Sequence, residues 1–88
     1  MLAEALEHLV RGIVGNPDDV SVQDKDLRRG RMLEVRVHPD DIGKVIGRSG
    51  RTATALRTVI GALAGPVQVR VDFIDVDKRA RRGDRGRH

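Results

Sequence analysis

"VHPDDIGKVIGRSGRTATALRTVIGALAG", residues 37–65, decides the fold. Pro39 suits a first helical turn, Asp40 and Asp41 follow near its positive end, and Ile42, Val45 and Ile46 then fall on one side of a short helix. After Gly50, the residues Ala55, Leu56, Val59, Ile60 and Leu63 repeat at helical spacing until Gly65-Pro66 ends the pattern. Two glycines around Arg48-Ser49 therefore interrupt what reads as a pair of helices.

Outward from this pair, each flank alternates. "MLEVRVH" (32–38) places Leu33, Val35 and Val37 on one face, and "VQVRVDF" (67–73) does the same with Val67, Val69, Val71 and Phe73. "VSVQD" (20–24) alternates more weakly, and "KDLRRG" between it and residue 32 has turn chemistry, which predicts an antiparallel hairpin with a basic loop. At the front, Leu2, Leu6, Leu9, Val10 and Ile13 predict an amphipathic helix over 2–14, stopped by Gly15 and Asn16-Pro17. The order is helix, strand, strand, helix, helix, strand. A helix pair between the second and third strands is a crossover long enough for a parallel, right-handed connection. The expectation is an α+β fold with a three-stranded mixed sheet covered by helices on one face.

Size and charge narrow the function. With 88 residues the chain is one small domain, near the lower limit at which an apolar core suffices without disulfides or metal. It has no cysteine, which removes a disulfide framework, a thiolate metal site and a thiol nucleophile, and fits a cytoplasmic setting. The acidic, amphipathic start predicts neither a signal peptide nor a membrane span. Through Ile74 there are 11 Lys/Arg against 10 Asp/Glu, while residues 75–88 hold 6 against 3, so the end of the chain carries most of the net charge of +4. Residues 1–75 read as the folded domain, and 76–88 as a disordered basic Arg/Gly-rich tail. Phe73 is the single aromatic, so RNA recognition by an exposed aromatic platform is disfavoured.

Within a nearly neutral body, GRSG (47–50) is the candidate site. Glycines three apart also occur at 12–15 and 83–86, and only 47–50 sits between two helices in a strand, helix, helix, strand frame. Glycine at both ends gives a polynucleotide backbone room to approach, and the helix that follows offers N–H groups and a positive dipole end. Lys44, Arg48 and Arg51 add cations, and part of the Ile42, Val45 and Ile46 side is available to floor a groove for bases. His8, His38 and His88 are scattered, so neither a metal nor a catalytic role is expected, and no cofactor is predicted.

Residues 37–65 in this frame resemble the core of a KH domain in its type II, bacterial arrangement, and residues 1 to about 75 are similar to the small single-domain KhpA family. The resemblance implies single-stranded RNA as ligand and a role as RNA chaperone or post-transcriptional regulator. It matches Gly47, Arg48, Ser49 and Gly50 to the backbone-clamping loop, Ile46 to the apolar residue before it, and Lys44 and Arg51 to its basic flanks. It also implies a homodimer, or a complex with a second, KhpB-like KH protein. Three other readings stay open: a protein-interaction adaptor with a vestigial KH loop, binding of single-stranded DNA, and an enzyme on a phosphorylated small molecule. The last lacks a Walker lysine-threonine pair and a nucleophile with its base.

Overall fold

A computed structural model describes residues 1–75; the expected tail at 76–88 lies outside the described residues. The elements are α1 (Leu2–Arg11), β1 (Ser21–Leu27), β2 (Gly30–Val37), α2 (Ile42–Ile46), α3 (Arg51–Ala64) and β3 (Val69–Asp75). The sheet order is β1-β2-β3, with β1 antiparallel to β2 across the hairpin and β3 parallel to β2, the outcome for which the helical crossover is long enough.

The alternation in β2 sets the core. Leu33, Val35 and Val37 are fully buried beneath the helices, joined by Leu6 and Val10 of α1, Val45 of α2, Leu56 and Ile60 of α3, and Val71 of β3. Each such side chain contributes on the order of 1.5–3 kcal/mol relative to exposure. The alternate residues Met32, Glu34 and Arg36 lie on the other face, where Glu34 pairs with Arg36 at 3.1 Å and Lys25 at 3.5 Å.

Several expectations are corrected. The regular turns of α1 end at Arg11, and residues 12–14 continue as a looser turn held by Ile13 and Val14 N–H groups on the Val10 carbonyl, because Gly12 begins the exit before Gly15 does. β1 runs on to Leu27, so the basic hairpin loop shrinks to Arg28-Arg29, Leu27 pairing with Gly30. Val67 is 45% exposed and outside β3, since its N–H closes a turn on Ala64 after Pro66; at the other end the strand takes in Ile74 and a buried Asp75. Pro39–Asp41 form a separate 3-10 turn ahead of α2, with the His38 ring accepting the Asp40 N–H at 3.0 Å.

The apolar stripe of α3 is also shifted. Ala53, Leu56 and Ile60 face the core, whereas Ala55 is exposed and Val59 and Leu63 are 44% and 59% exposed. A single helix face of about 100° meets the sheet, and the sequence offers two adjacent apolar faces of which only one fits.

Candidate functional site

GRSG is held at both ends by its own helices. The Gly47 N–H closes α2 on the Gly43 carbonyl at 2.8 Å, the Gly50 N–H bonds to the Gly47 carbonyl at 3.1 Å, and the Arg51 N–H turns back to Arg48. What remains is narrower than the sequence suggests. The N–H groups of Arg48 and Ser49 have no hydrogen-bond partner among the described residues, and both residues are exposed. No side chain caps the start of α3.

Glycine is required at Gly47 for two reasons. Its φ of 78° and ψ of 173° belong to a region open in practice to glycine alone. A Cβ there would also lie 2.3 Å from Thr52 Oγ1 and 2.8 Å from the Thr52 backbone nitrogen. Gly50 differs: its φ of 75° is left-handed, but a Cβ would meet nothing within 4 Å. Ser49, between them, is the single non-glycine residue at positive φ among the described residues, at 56°. A left-handed non-glycine residue costs roughly 1–2 kcal/mol. The loop therefore holds Arg48 and Ser49 outward on a backbone that two glycines and one strained serine define.

The predicted site residues do not all converge. Gly47, Arg48, Ser49, Gly50 and Arg51 form one continuous segment in which Arg48, Ser49 and Arg51 are exposed and the two glycines half-buried, and Ile46 is half-buried beside it on the core. Lys44 is drawn elsewhere. Its ammonium lies 3.5 Å from Asp41 Oδ1 and close enough to Gly15 that a Cβ there would sit 3.1 Å away, so it serves the contact between α2 and the turn after α1.

Asp41 explains that diversion, and it corrects the expectation that both Asp40 and Asp41 serve the helix dipole. Its carboxylate is buried, 1% exposed, and accepts the backbone N–H groups of Gly15 (3.2 Å) and Asn16 (2.9 Å) and the Asn16 side-chain amide (3.1 Å). Burial by itself would raise this carboxyl; the hydrogen bonds from Asn16 and Gly15 together with the Lys44 charge reverse that and hold it below its ordinary value. Asp41 thus ties α1's exit to α2 and so sets the platform from which the loop projects. Its role is invisible in sequence because its partners are 25 and 26 residues away.

Arg57 is a second residue whose role no sequence pattern signals. From the middle of α3 its Nε donates to the Val71 carbonyl at 3.1 Å, and its guanidinium carbon stands 5.4 Å from the Phe73 ring centroid. β3 is an edge strand, so this arginine caps one of its outward carbonyls and covers the single aromatic face.

Against known families, the model described as "KhpA/KhpB, KH domain" matches residues 3–76. The chain belongs to the KhpA/KhpB KH-domain family. Relatives named RNA-binding protein KhpA include one from Streptomyces coelicolor, 74% identical over 77 residues, covering 88% of this chain and 96% of the relative. A KhpA from Mycobacterium tuberculosis is 60% identical over 78 residues, covering 89% of this chain and 96% of its own. A more distant KhpA, from Halalkalibacterium halodurans, is 49% identical over 72 residues, covering 80% and 95%. No solved structure matches the chain significantly. Among the described residues, no helix is long and apolar enough to cross a membrane.

Proposed function

We propose that this chain binds single-stranded RNA in the cytoplasm, as an RNA chaperone or post-transcriptional regulator, and holds the RNA backbone at Gly47–Gly50. The observation that carries the reading is the loop itself: unpartnered Arg48 and Ser49 N–H groups on an exposed backbone, with the Arg48 and Arg51 side chains exposed beside it. KH loops of this kind clamp four backbone nucleotides. The names of the KhpA relatives point the same way. The site supplies backbone donors and cations, which bind and position a phosphate chain, so the reading is of a binding module. Gly47, Arg48, Ser49, Gly50 and Arg51 make the clamp, and Ile46 borders it. Lys44 contributes less, because its ammonium is committed to Asp41.

The test is a titration of fluorescent single-stranded RNA, at two salt concentrations, with wild type and the Arg48→Asp/Ser49→Asp variant. Both side chains are exposed, so the variant folds, and the added carboxylates repel phosphate. Loss of binding is the expected result. Undiminished affinity in the folded variant overturns the assignment and brings forward the adaptor with a vestigial loop.

A clamp of four nucleotides is weak alone, and a second copy raises it through effective concentration. The exposed Val59 and Leu63 of α3 form the face we assign to a homodimer, with a KhpB-like KH protein as the competing occupant.

A further inference from the structure

The chain has five hydroxyl side chains, Ser21, Ser49, Thr52, Thr54 and Thr58, and no tyrosine. Four of them are poorly placed for a modifying enzyme. Ser21 starts β1 just behind Asp18 and Asp19, and Thr52 is half-buried against Gly47. Thr54 and Thr58 are exposed but lie inside the regular turns of α3, where the Thr58 hydroxyl donates to the Thr54 carbonyl at 2.9 Å. Ser49 differs on each count: it is exposed, it lies between α2 and α3, and its hydroxyl has no hydrogen-bond partner among the described residues.

Two further observations single this serine out. The first is charge. Arg48 precedes it and Arg51 follows, both exposed and without an ion pair among the described residues, and no Asp or Glu occurs in the sequence from Ile42 to Val71. The second is backbone strain. At φ 56° Ser49 is the single non-glycine residue in the left-handed region among the described residues, where glycine or asparagine is cheaper. Strain kept at an exposed loop position points to a use for the side chain itself.

We propose that Ser49 is a phosphorylation site, and that a phosphate attached there closes the clamp to RNA by occupying it. The inference rests on the RNA-binding reading of the loop and names its regulation. In the modifying step, a serine/threonine kinase holds ATP while Ser49 Oγ attacks the γ-phosphorus. The new Oγ–P bond forms as the bond to the β,γ-bridging oxygen breaks, ADP leaves, and the hydroxyl proton passes to the kinase's base. The phosphoserine carries a charge of about −1.5 to −2 and three acceptor oxygens. The donors that suit an RNA phosphate suit this one equally: the free Arg48 and Ser49 N–H groups, the two guanidinium groups and the positive end of α3. Being tethered, it competes at an effective concentration that a free strand does not reach.

The experiment incubates the full chain with ATP, magnesium and a serine/threonine kinase selective for a basic residue two positions after its acceptor. Fragment mass spectrometry then locates the phosphate, with Ser49→Ala as the control for the site. One phosphate on Ser49 and none in Ser49→Ala is the expected result; no incorporation, or phosphate on Thr54 or Thr58, overturns the proposal. The phosphorylated chain is next titrated with fluorescent single-stranded RNA across a salt series. Affinity falls by about tenfold or more, because the added charge cancels both arginines at the clamp. The salt slope becomes shallower by about 1.4, since each neutralised phosphate of a single strand contributes about 0.7. Phosphatase restores both, and Tm does not fall. Lost binding with a lowered Tm overturns the proposal, because the phosphate has then opened the loop instead of filling it. Undiminished binding by the phosphorylated chain overturns it as well: the clamp stands if Arg48→Asp/Ser49→Asp still loses RNA, and falls with it if that variant also binds fully.

Discussion

Gly47→Ala and Gly50→Ala are formally the same substitution in the same loop, yet the structure predicts different outcomes. At Gly50 the added methyl meets nothing within 4 Å, so the cost is that of a left-handed alanine, roughly 1–2 kcal/mol. At Gly47 the backbone lies in the glycine-only region, which costs roughly 1–3 kcal/mol, and the methyl lands 2.7 Å from Thr52 Cβ and 2.8 Å from its nitrogen. Thr52 Oγ1 can rotate away; the Thr52 nitrogen belongs to the first turn of α3 and cannot move without the helix. Overpacking of that kind adds about 1–3 kcal/mol. For a domain of this size each kcal/mol lowers Tm by about 4–8 °C. Thermal melts followed by circular dichroism should therefore show Gly50→Ala falling by about one to two such steps and Gly47→Ala by more, up to about six. Equal losses, or a milder Gly47→Ala, would refute the loop geometry on which the clamp rests. Adding Thr52→Ala to Gly47→Ala should restore part of the loss, because it removes Oγ1 but not the nitrogen.

Two further outcomes follow from residues away from the loop. Asp41→Asn replaces an acceptor of three N–H groups by a side chain that must also donate, so it lowers Tm near neutral pH. The wild-type carboxyl is held below its ordinary 3.8, so its stabilisation is present above that value and is lost as pH falls through the depressed one. The gap between wild type and variant should close in acid, and a pH-independent gap in Tm would show that the charge of Asp41 is not what stabilises. Leu63→Glu alters a side chain 59% exposed on the apolar face of α3, so Tm should be unchanged while sedimentation shifts to monomer. An unaltered assembly state would remove α3 as the homodimer face.

Periodicity alone determined most of the architecture. Strict alternation in β2 and the helical pattern on either side of GRSG gave a crossover long enough for a parallel third strand, and the register of β3 on β2 decided for it over an antiparallel return. The same frame singled out 47–50 from two other glycine pairs with equal spacing. Sequence stopped short wherever the deciding partner is distant or the pattern is degenerate. α3 carries two adjacent apolar faces, and only packing on the sheet selected Ala53, Leu56 and Ile60 over Ala55, Val59 and Leu63. Lys44 lies three residues before GRSG in the chain, yet its ammonium turns to Asp41, whose own burial depends on a turn some 25 residues earlier. Arg29, Arg31, Arg57 and Arg70 gather around the start of β3 from the hairpin, from α3 and from β3, and no spacing rule joins them. Local sequence settles what each segment becomes, because φ, ψ and side-chain period are local quantities; which charges stand free to meet a ligand is settled by which ones the fold has already paired.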